Sequence, residues 1–405
     1  MIFLLLISLV IINKLIYKSF LNPIFIQSIV WLLYYVILTF NIEVYDVSLN
    51  SVNKFLIYQS VGFSLGGFIC ALFTKSEAIT QKKYIDVGII ETTSENVSIF
   101  YPLVLILLIG CIIYQIQTVG TFSILEIIEF RKTLADDDGK KSGTIGTLHL
   151  LITIFMVIYM ATVKWDKTLW YKHLILLFLY FFFTLLLASK GQFVLFFCSL
   201  LYLLIWLNKV KKSHIAISIL SLAGILFFLL FLGSGGNKGA FTEEAFIDIL
   251  LIYTVTSLPA LFVAESAPSK YFGYYTFRVV FIWLNKLGFT FALAPVLSEF
   301  VSTPLPTNVY SYIKPYYQDF GLTGIFWVPF FLGAIHNFFY FKARKGHFVY
   351  VIFSCFLIYP LVMQVFEENY FRQLSNWLYI FIIIIILTKI KFRLMGFNKQ
   401  FNFTS

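Results

Sequence analysis

Residues 1–18 read MIFLLLISLVIINKLIYK, and this stretch has the pattern that decides the fold. A continuous apolar run of this kind is typical of a membrane-spanning helix, whereas a β-barrel strand alternates apolar and polar residues. Lys14 and Lys18 come at the end of the run and not before it, and no small-residue cleavage site is present. We therefore expect an uncleaved first helix and not a signal peptide.

The rest of the chain repeats this pattern. Of its 405 residues, 60% are hydrophobic and 12% are charged, and the mean hydropathy is +0.87. Soluble chains carry about 25% charged residues, so lipid has to cover much of this surface. We predict an all-α fold: a polytopic transmembrane bundle of about 11–13 helices that forms a single integral membrane domain over residues 1–405. The expected spans lie near 2–17, 22–41, 55–73, 98–117, 145–163, 169–187, 192–207, 215–232, 323–341, 347–363 and 375–390.

Basic residues are concentrated on alternate loops. Six short segments carry 18 of the 30 Lys and Arg residues, whereas most acidic residues lie on the intervening loops. The positive-inside rule places the basic segments in the cytoplasm. We therefore expect a multi-pass protein of the bacterial inner or plasma membrane, with its N-terminus outside and its C-terminus in the cytoplasm. The basic residues of these segments are Lys14, Lys18, Lys75, Lys82, Lys83, Lys164, Lys167, Lys172, Lys209, Lys211, Lys212, Lys342, Arg344, Lys345, Lys389, Lys391, Arg393 and Lys399.

The composition also argues against several other classes of protein. The net charge of +10 is spread over loops and forms no single patch, so we expect no nucleic-acid partner. The four cysteines all lie inside apolar runs and form no disulfide framework or zinc pattern. Neither a nucleotide-binding loop nor a metal-binding motif is present, and the five histidines are scattered. We expect no cofactor and no metal site.

One long external region, residues 233–322, breaks the regular succession of spans. It opens with GSGGNKG and contains two moderately apolar runs, at about 245–264 and 279–297. These runs are either two further spans or re-entrant or interfacial helices, because polar residues interrupt or flank them. Non-helical backbone at membrane depth survives only where protein or a water-filled cavity surrounds it. We therefore interpret this region as a roof over a cavity that holds the active site.

Basic residues near the outer face are the first candidates for chemistry, because ionisable groups are costly at a membrane. Lys190 lies in the short external turn ASKGQF, where its alternative role is that of an interfacial anchor. Arg131 lies in the loop 118–144 beside three aspartates, a setting that a solvated, mixed-charge surface also explains. Arg278 lies in YYTFRVVFIW, and an arginine at this position favours bidentate recognition of phosphate or carboxylate.

A fourth basic residue and one aromatic stretch complete the candidates. Arg372 follows two glutamates in QVFEENYFRQL and is either a ligand for an anion or only their ion-pair partner. Residues 303–324 read TPLPTNVYSYIKPYYQDFGLTG, in which the tyrosines can stack on sugars or belong to the membrane-interface belt. Asp319 lies where we expect a helix to start, so its alternative role is that of an N-cap.

The stretch NVYSYIKPYYQDFGLTGIFWVPFFLG, residues 308–333, resembles the signature of the oligosaccharide repeat-unit polymerases. These are the Wzy-type polymerases of O-antigen and capsular polysaccharide. The specific motif covers some 25 residues, while the similarity in helix number and in the late external loop covers nearly the whole chain. Ser311 stands where the family commonly has Thr, and Lys190 stands where it commonly has Arg. The matching residues are Asn308, Val309, Tyr310, Tyr317, Asp319, Phe320, Gly321, Gly324 and Gly333.

This resemblance implies an enzyme at the outer face of the membrane. It would transfer a growing glycan from undecaprenyl diphosphate onto the non-reducing end of a new lipid-linked repeat unit, to make O-antigen, capsular polysaccharide or exopolysaccharide. Asp319 is the expected general base, with Glu367 or Glu368 in reserve. The donor and acceptor would be lipid-linked oligosaccharides, and a chain-length regulator and a flippase of the same pathway are further expected partners.

The expected roles of the remaining candidates follow from the charge on the leaving group. Cationic groups would stabilise the departing lipid diphosphate, so that a metal would be unnecessary. The tyrosines and Asn308 would hold sugar rings. The residues in these two roles are Arg131, Lys190, Arg278 and Arg372 for the diphosphate, with Arg278 also counted as catalytic, and Asn308, Tyr310 and Tyr317 for the sugars.

Two alternatives remain open. An O-antigen ligase would have a similar shape, but such ligases usually carry a functional His in the long external loop, and none lies between 233 and 322. A non-catalytic flippase or other polysaccharide transporter would have evenly spaced helices and internal repeats. The 90-residue external region and the lack of a repeat argue against a transporter.

Overall fold

The structure is a computed structural model, and it describes most of the chain. The predicted span at 215–232 and the candidate Arg131 lie outside the described residues. The described ranges are 2–45, 47–74, 87–119, 142–163, 170–187, 190–210, 251–252, 255–264, 269–295, 298–303 and 306–390.

Helices dominate the described residues. A short 3₁₀ turn, Ile42–Val44, follows the second helix, and two-residue strands β1 (Val301–Ser302) and β2 (Pro306–Thr307) pair antiparallel. The helical class is therefore as predicted. The helices are α1 (Ile2–Tyr17), α2 (Pro23–Phe40), α3 (Leu49–Leu72), α4 (Val87–Val119), α5 (Ser142–Thr162), α6 (Trp170–Leu186), α7 (Lys190–Trp206), α8 (Pro259–Val263), α9 (Arg278–Lys286), α10 (Lys314–Arg344), α11 (Phe348–Met363) and α12 (Leu374–Lys389).

Five of the described helices are long and apolar enough to cross a bilayer, judged by length and composition. They are α2, α3, most of α4, most of α5, and α10. Five shorter apolar helices, of 16 or 17 residues, coincide with predicted spans: α1, α6, α7, α11 and α12. Helices of this composition make the chain a membrane protein.

Two helices begin well before their predicted spans. The apolar run predicted at 98–117 lies inside α4, which starts at Val87. The polar first turns of α4 are held against the C-terminal end of α12 by hydrogen bonds from Asn96. The Asn96 side-chain amide donates to the carbonyl oxygens of Leu387 (2.8 Å) and Ile390 (2.6 Å). Helix α10 starts at Lys314 and not near 323, and it is kinked at Gly321, whose φ of 62° and ψ of −149° favour glycine. A hydropathy pattern locates the apolar part of such helices and not their polar extensions.

Side chains at one end of the bundle join helix ends that the charge pattern assigns to the same side. Arg344, at the end of α10, is 6% exposed and donates to the carbonyl oxygen of Tyr17 (3.0 Å), at the end of α1. Lys209, just past α7, donates to the carbonyl oxygen of Ala161 near the end of α5. These pairs agree with the predicted alternation of loops, although which side of the membrane they occupy stays a prediction.

The apolar run at 279–297 is not a single spanning helix. Helix α9 has nine residues and is about 14 Å long; eight of them fall in this run, and the described residues that follow have no regular secondary structure up to Pro295. A bilayer core is about 30 Å thick, so α9 alone does not cross it. In the run at 245–264, residues 255–258 form a turn and α8 has only five residues, so its described part is not one continuous helix either.

Helices α3 and α10 pack backbone to backbone through glycines on both. A Cβ placed on Gly62 or Gly66 would overlap a carbonyl oxygen of α10, at Phe326 and Phe330. On α10, a Cβ on Gly333 would overlap the carbonyl oxygen of Phe63. Small residues at such crossings let helices in membranes approach closely. This contact fixes the position of α10, whose first turns lead into the site described below.

We expect Gly66→Ala to lower the free energy of unfolding by roughly 1–3 kcal/mol, because the added methyl group forces α3 and α10 apart. The matched control is Gly110→Ala in α4, where nothing lies within 4 Å of the new Cβ. That substitution should be neutral or slightly stabilising, because Ala favours a helix over Gly. Thermal unfolding of the two variants in the same detergent checks this. Equal melting temperatures would contradict the close packing of the two helices.

Candidate functional site

A cavity of about 470 Å³ lies at one end of the helix bundle. Its wall includes the first residue of α7, the first residues of α9 and α10, and the last residue of α11. The segments around Ala294, Asn308 and Glu367 complete the wall. The charge pattern places all these segments in outer loops or at outer helix ends. The structure thus brings together the parts of the chain that the sequence assigned to one side.

Five of the predicted site residues line this cavity, namely Lys190, Arg278, Asn308, Tyr310 and Arg372. They are separated by up to 182 positions in the sequence. Among the described residues, the lining also includes Lys314, Glu367 and Glu368. Four basic side chains therefore face two acidic ones, and this excess of positive charge suits an anionic ligand.

Arg278 begins α9 and is held by the chain that returns beside this helix. Its Nε donates to the carbonyl oxygen of Ala294 at 2.7 Å, which fixes the plane of the guanidinium. Burial and the neighbouring charge of Arg372 both lower the pKa of Arg278, although a guanidinium stays charged at any physiological pH. Among the described residues, no carboxylate oxygen lies within 4.0 Å of Arg278. Two guanidinium groups held near each other attract an anion between them.

Arg372 has a carboxylate partner, as one interpretation of the sequence anticipated. Its Nη1 lies 3.6 Å from Oε2 of Glu367, and the two side chains are 49% and 37% exposed. Exposed ion pairs contribute only about 0–1 kcal/mol to stability, so a ligand can displace this one at small cost. Both residues line the cavity. Arg372 is therefore both an ion-pair partner and part of the cavity wall.

Lys314 is a cavity residue that the sequence analysis missed. It is only 9% exposed, and its ammonium lies 3.2 Å from the centroid of the Tyr310 ring. Tyr310 is fixed in turn, because its hydroxyl donates to the carbonyl oxygen of Glu299 at 2.8 Å. A lysine in the first turn of a helix is unfavourable for the helix dipole, but the helix was expected to start near Asp319, so this mismatch became visible only once α10 was seen to begin at Lys314.

Glu368 organises the turn between α11 and α12. Its carboxylate accepts from the Tyr316 hydroxyl (2.9 Å) and from the backbone N–H groups of Tyr370 (2.8 Å), Phe371 (2.9 Å) and Arg372 (2.8 Å). Burial raises the pKa of Glu368, and these four donors oppose the rise. All four donors point at one carboxyl group, so Glu368 holds the turn that carries Arg372 into the cavity wall.

Asp319 lies outside the cavity lining. Like Glu368, it holds a turn in place by accepting hydrogen bonds. It is not the N-cap of its own helix, because α10 begins five residues earlier. Its carboxylate accepts from the Ser269 hydroxyl (2.6 Å) and from the backbone N–H groups of Tyr275 (3.1 Å) and Thr276 (2.6 Å). These contacts fix the turn that precedes α9. The role of general base for Asp319 stays a prediction.

The tyrosines of the resemblance stretch have different surroundings. Tyr310 lines the cavity, whereas Tyr317 packs on Phe55 of α3 with ring centroids 4.9 Å apart. Tyr312 and Tyr316 are fully buried, and the Tyr312 hydroxyl donates to Gln59 Oε1 at 3.0 Å. Only Tyr310 of these four is placed to contact a ligand in this cavity.

Comparison with known proteins identified no relative: no family model, no curated protein and no solved structure matches this chain. Within the part of the chain that the structure describes, no cluster of three His, Cys, Asp or Glu side chains has the arrangement of a metal site. The cavity offers basic groups, an amide, an aromatic ring and one exposed carboxylate, which together can bind an anion and a polar sugar.

We expect Glu368→Ala to lower the free energy of unfolding by about 3 kcal/mol or more, because several buried donors lose their acceptor at once. Glu367→Ala is the matched control one residue away. It removes only an exposed ion pair and should cost less than about 1 kcal/mol. Thermal unfolding in detergent measures both. A Glu368→Ala protein as stable as Glu367→Ala would contradict the role of Glu368 as the organiser of this turn.

Proposed function

We propose that this chain is a membrane glycosyltransferase that polymerises undecaprenyl-diphosphate-linked oligosaccharide repeat units into a surface polysaccharide. The observation that carries the proposal is the convergence of Lys190, Arg278 and Arg372 with Asn308 and Tyr310 around one cavity. Asn308 and Tyr310 come from the stretch that resembles the polymerase signature. The three basic residues come from loops that the charge pattern places outside, where lipid-linked repeat units are joined.

The chemistry of the reaction fits the charge of the cavity. The hydroxyl oxygen of the acceptor sugar forms a bond to the anomeric carbon of the donor, and the bond from that carbon to the lipid diphosphate breaks. The electron pair leaves with the diphosphate, whose negative charge is stabilised by nearby cations. Arg278 and Arg372 are the first candidates for this role, because the two guanidinium groups are electrostatic neighbours. Lys190 and Lys314 add positive charge elsewhere on the wall.

The proton of the attacking hydroxyl needs an acceptor on the cavity wall. Glu367 meets this requirement better than the residue first expected. It lines the cavity and is partly exposed, and within the described part of the chain its carboxylate has an ion pair with Arg372. Asp319 lies outside the lining, and the carboxylate of Glu368 is occupied by four donors. We therefore assign the base to Glu367 and a positioning role to Asp319.

The direct test of the function is deletion of the gene, followed by separation of the surface and lipid-linked glycans on a sizing gel. We expect long chains to disappear while single repeat units persist at the surface, because the units still cross the membrane. Loss of all surface glycan with units trapped inside would identify a transporter. Long chains that stay on the lipid carrier would identify a ligase. Either result would overturn the proposal.

Complementation of the deletion with variants tests the cationic groups. We expect Arg278→Ala to slow polymerisation about a hundredfold or more, because one preorganised donor to the leaving group is lost. Arg278→Lys should retain part of the activity. Lys389→Ala removes an exposed basic residue from the other end of α12 and should leave the chain-length distribution unchanged. Membrane amounts of each variant are measured in parallel, and wild-type polymer from Arg278→Ala would remove this residue from the mechanism.

A second pair of variants distinguishes the roles of the carboxylates of Glu367 and Asp319. Glu367→Gln should reduce the rate by about 10²-fold or more with little change in thermal stability, because general-base assistance is lost. Asp319→Asn should lower the stability first, because its amide cannot accept from all the donors of the preceding turn. A normal rate in Glu367→Gln would exclude it as the base. A full loss of rate in a normally stable Asp319→Asn protein would return that role to Asp319.

A further inference from the structure

An exposed apolar surface lies on the external segment beside the cavity. Phe272 is 79% exposed, Leu287 is 77% and Phe300 is 70%, and Phe289 and Leu293 are exposed as well. All five lie between residues 272 and 300, and an exposed apolar surface normally marks a contact with a partner or with lipid. The cavity does not use them, because none of the five belongs to its lining.

All of these side chains except Phe300 belong to one folded unit. The chain after α9 returns beside the helix, and the Asn285 amide clamps it by donating to the carbonyl oxygen of Phe291 (2.8 Å) and accepting from its N–H (2.7 Å). The Tyr271 hydroxyl donates to the carbonyl oxygen of Ala292. The ring of Tyr271 packs against Phe281 and Phe291, with centroids 4.8 and 5.6 Å away. We call residues 271–295 the flap.

The flap lies at the level where the apolar helices end. It shares the cavity wall with Lys190, which begins α7, and with Met363, which ends α11. A bilayer that surrounds these helices therefore has its surface at the height of the flap. Any exposed side chain on the outer side of the flap meets the headgroup and upper acyl region of one leaflet.

The sequence of α9 suits such a position. Helix RVVFIWLNK is too short to cross the membrane, is strongly amphipathic and has a basic residue at each end. Short helices of this type lie in the plane of the interface, where Lys and Trp side chains are favoured. Lys286 is exposed next to Leu287, so its ammonium can reach the headgroups while the neighbouring apolar side chain enters the acyl chains.

We infer that the flap is inserted in the outer surface of the bilayer, with Leu287 and Phe289 in contact with lipid acyl chains. Leu293 is exposed whereas the adjacent Ala294 is buried and lines the cavity. The chain that returns beside α9 is therefore a single layer of polypeptide between lipid and cavity. This lipid contact stands independently of the polymerase proposal. If that proposal holds as well, a substrate whose hydrocarbon tail stays in the leaflet needs to pass its sugar–diphosphate head only across this layer.

Spin labels at single cysteines test the contact in nanodiscs of phosphatidylethanolamine and phosphatidylglycerol. The four native cysteines are replaced by alanine, and cysteine is introduced as Leu287→Cys or Phe289→Cys. Phe178→Cys, at an exposed apolar position within α6, provides the lipid reference, and Glu43→Cys provides a polar reference. The measurement is the ratio of relaxation by molecular oxygen, which concentrates in lipid, to relaxation by a water-soluble nickel chelate.

We expect the two flap labels to shift from the ratio of Glu43→Cys towards that of Phe178→Cys. A ratio equal to that of Glu43→Cys would place the flap in water and overturn the inference. Labels inaccessible to both reagents, with spin–spin broadening between copies, would assign this surface to a second copy of the chain and overturn it too.

A second measurement avoids the cysteine substitutions. A benzophenone amino acid introduced at Phe289 in the otherwise unchanged chain is illuminated in the same nanodiscs. We expect mass spectrometry to find an adduct with phospholipid acyl chains. A cross-link only to protein would overturn the inference, as would the absence of a lipid adduct when the same group at Phe178 forms one. The glycan phenotype is scored separately, so failure of the lipid contact and failure of the polymerase proposal are distinguishable.

Discussion

A lipid bilayer offers no hydrogen-bond partners to a polypeptide backbone, and this constraint explains most of the structure. Helices satisfy it along the apolar runs. Where the chain leaves regular structure near the cavity, polar side chains supply the missing acceptors. Glu368 accepts three consecutive backbone N–H groups of the turn after α11, and Asp319 accepts those of Tyr275 and Thr276 before α9. Asn285 does the same for Phe291 within the flap. Irregular backbone near the ends of the helices is stabilised because polar side chains complete its hydrogen bonds.

The same arrangement sets the electrostatics of the cavity. One of its two acidic residues, Glu368, is surrounded by donors, and the other, Glu367, is paired with Arg372. The charges of Arg278 and Lys314 are left without a carboxylate partner within 4.0 Å among the described residues. Lys314 is instead placed over the ring of Tyr310, which stabilises a cation without neutralising it. A cavity built in this way keeps its positive charge available for an anionic substrate.

The structure brings several of the predicted site residues together around one cavity and places others elsewhere. Lys190, Arg278, Asn308, Tyr310 and Arg372 were chosen from loops and motifs far apart in the chain, and they line one cavity. The motif also contains residues that serve the fold, since Tyr317 packs on α3. A motif reports which residues occur together and does not report which of them face a ligand. Lys314 was overlooked because α10 was expected to start near Asp319, whereas the helix begins at Lys314 and places its ammonium over the ring of Tyr310.

The sequence by itself determined the class of the protein, because the length of apolar runs and the placement of Lys and Arg are local properties that the bilayer constrains directly. It also indicated where long segments interrupt the succession of apolar runs. Only the tertiary structure decided which carboxylates lie where they can contact a ligand in the cavity. Asp319, Glu367 and Glu368 are chemically alike in the sequence, but Asp319 and Glu368 accept hydrogen bonds from residues 50 and 52 positions away, whereas Glu367 has an ion pair with Arg372. Burial, local turns and donors from distant segments together set the surroundings of a carboxylate, and a single sequence does not show how they combine.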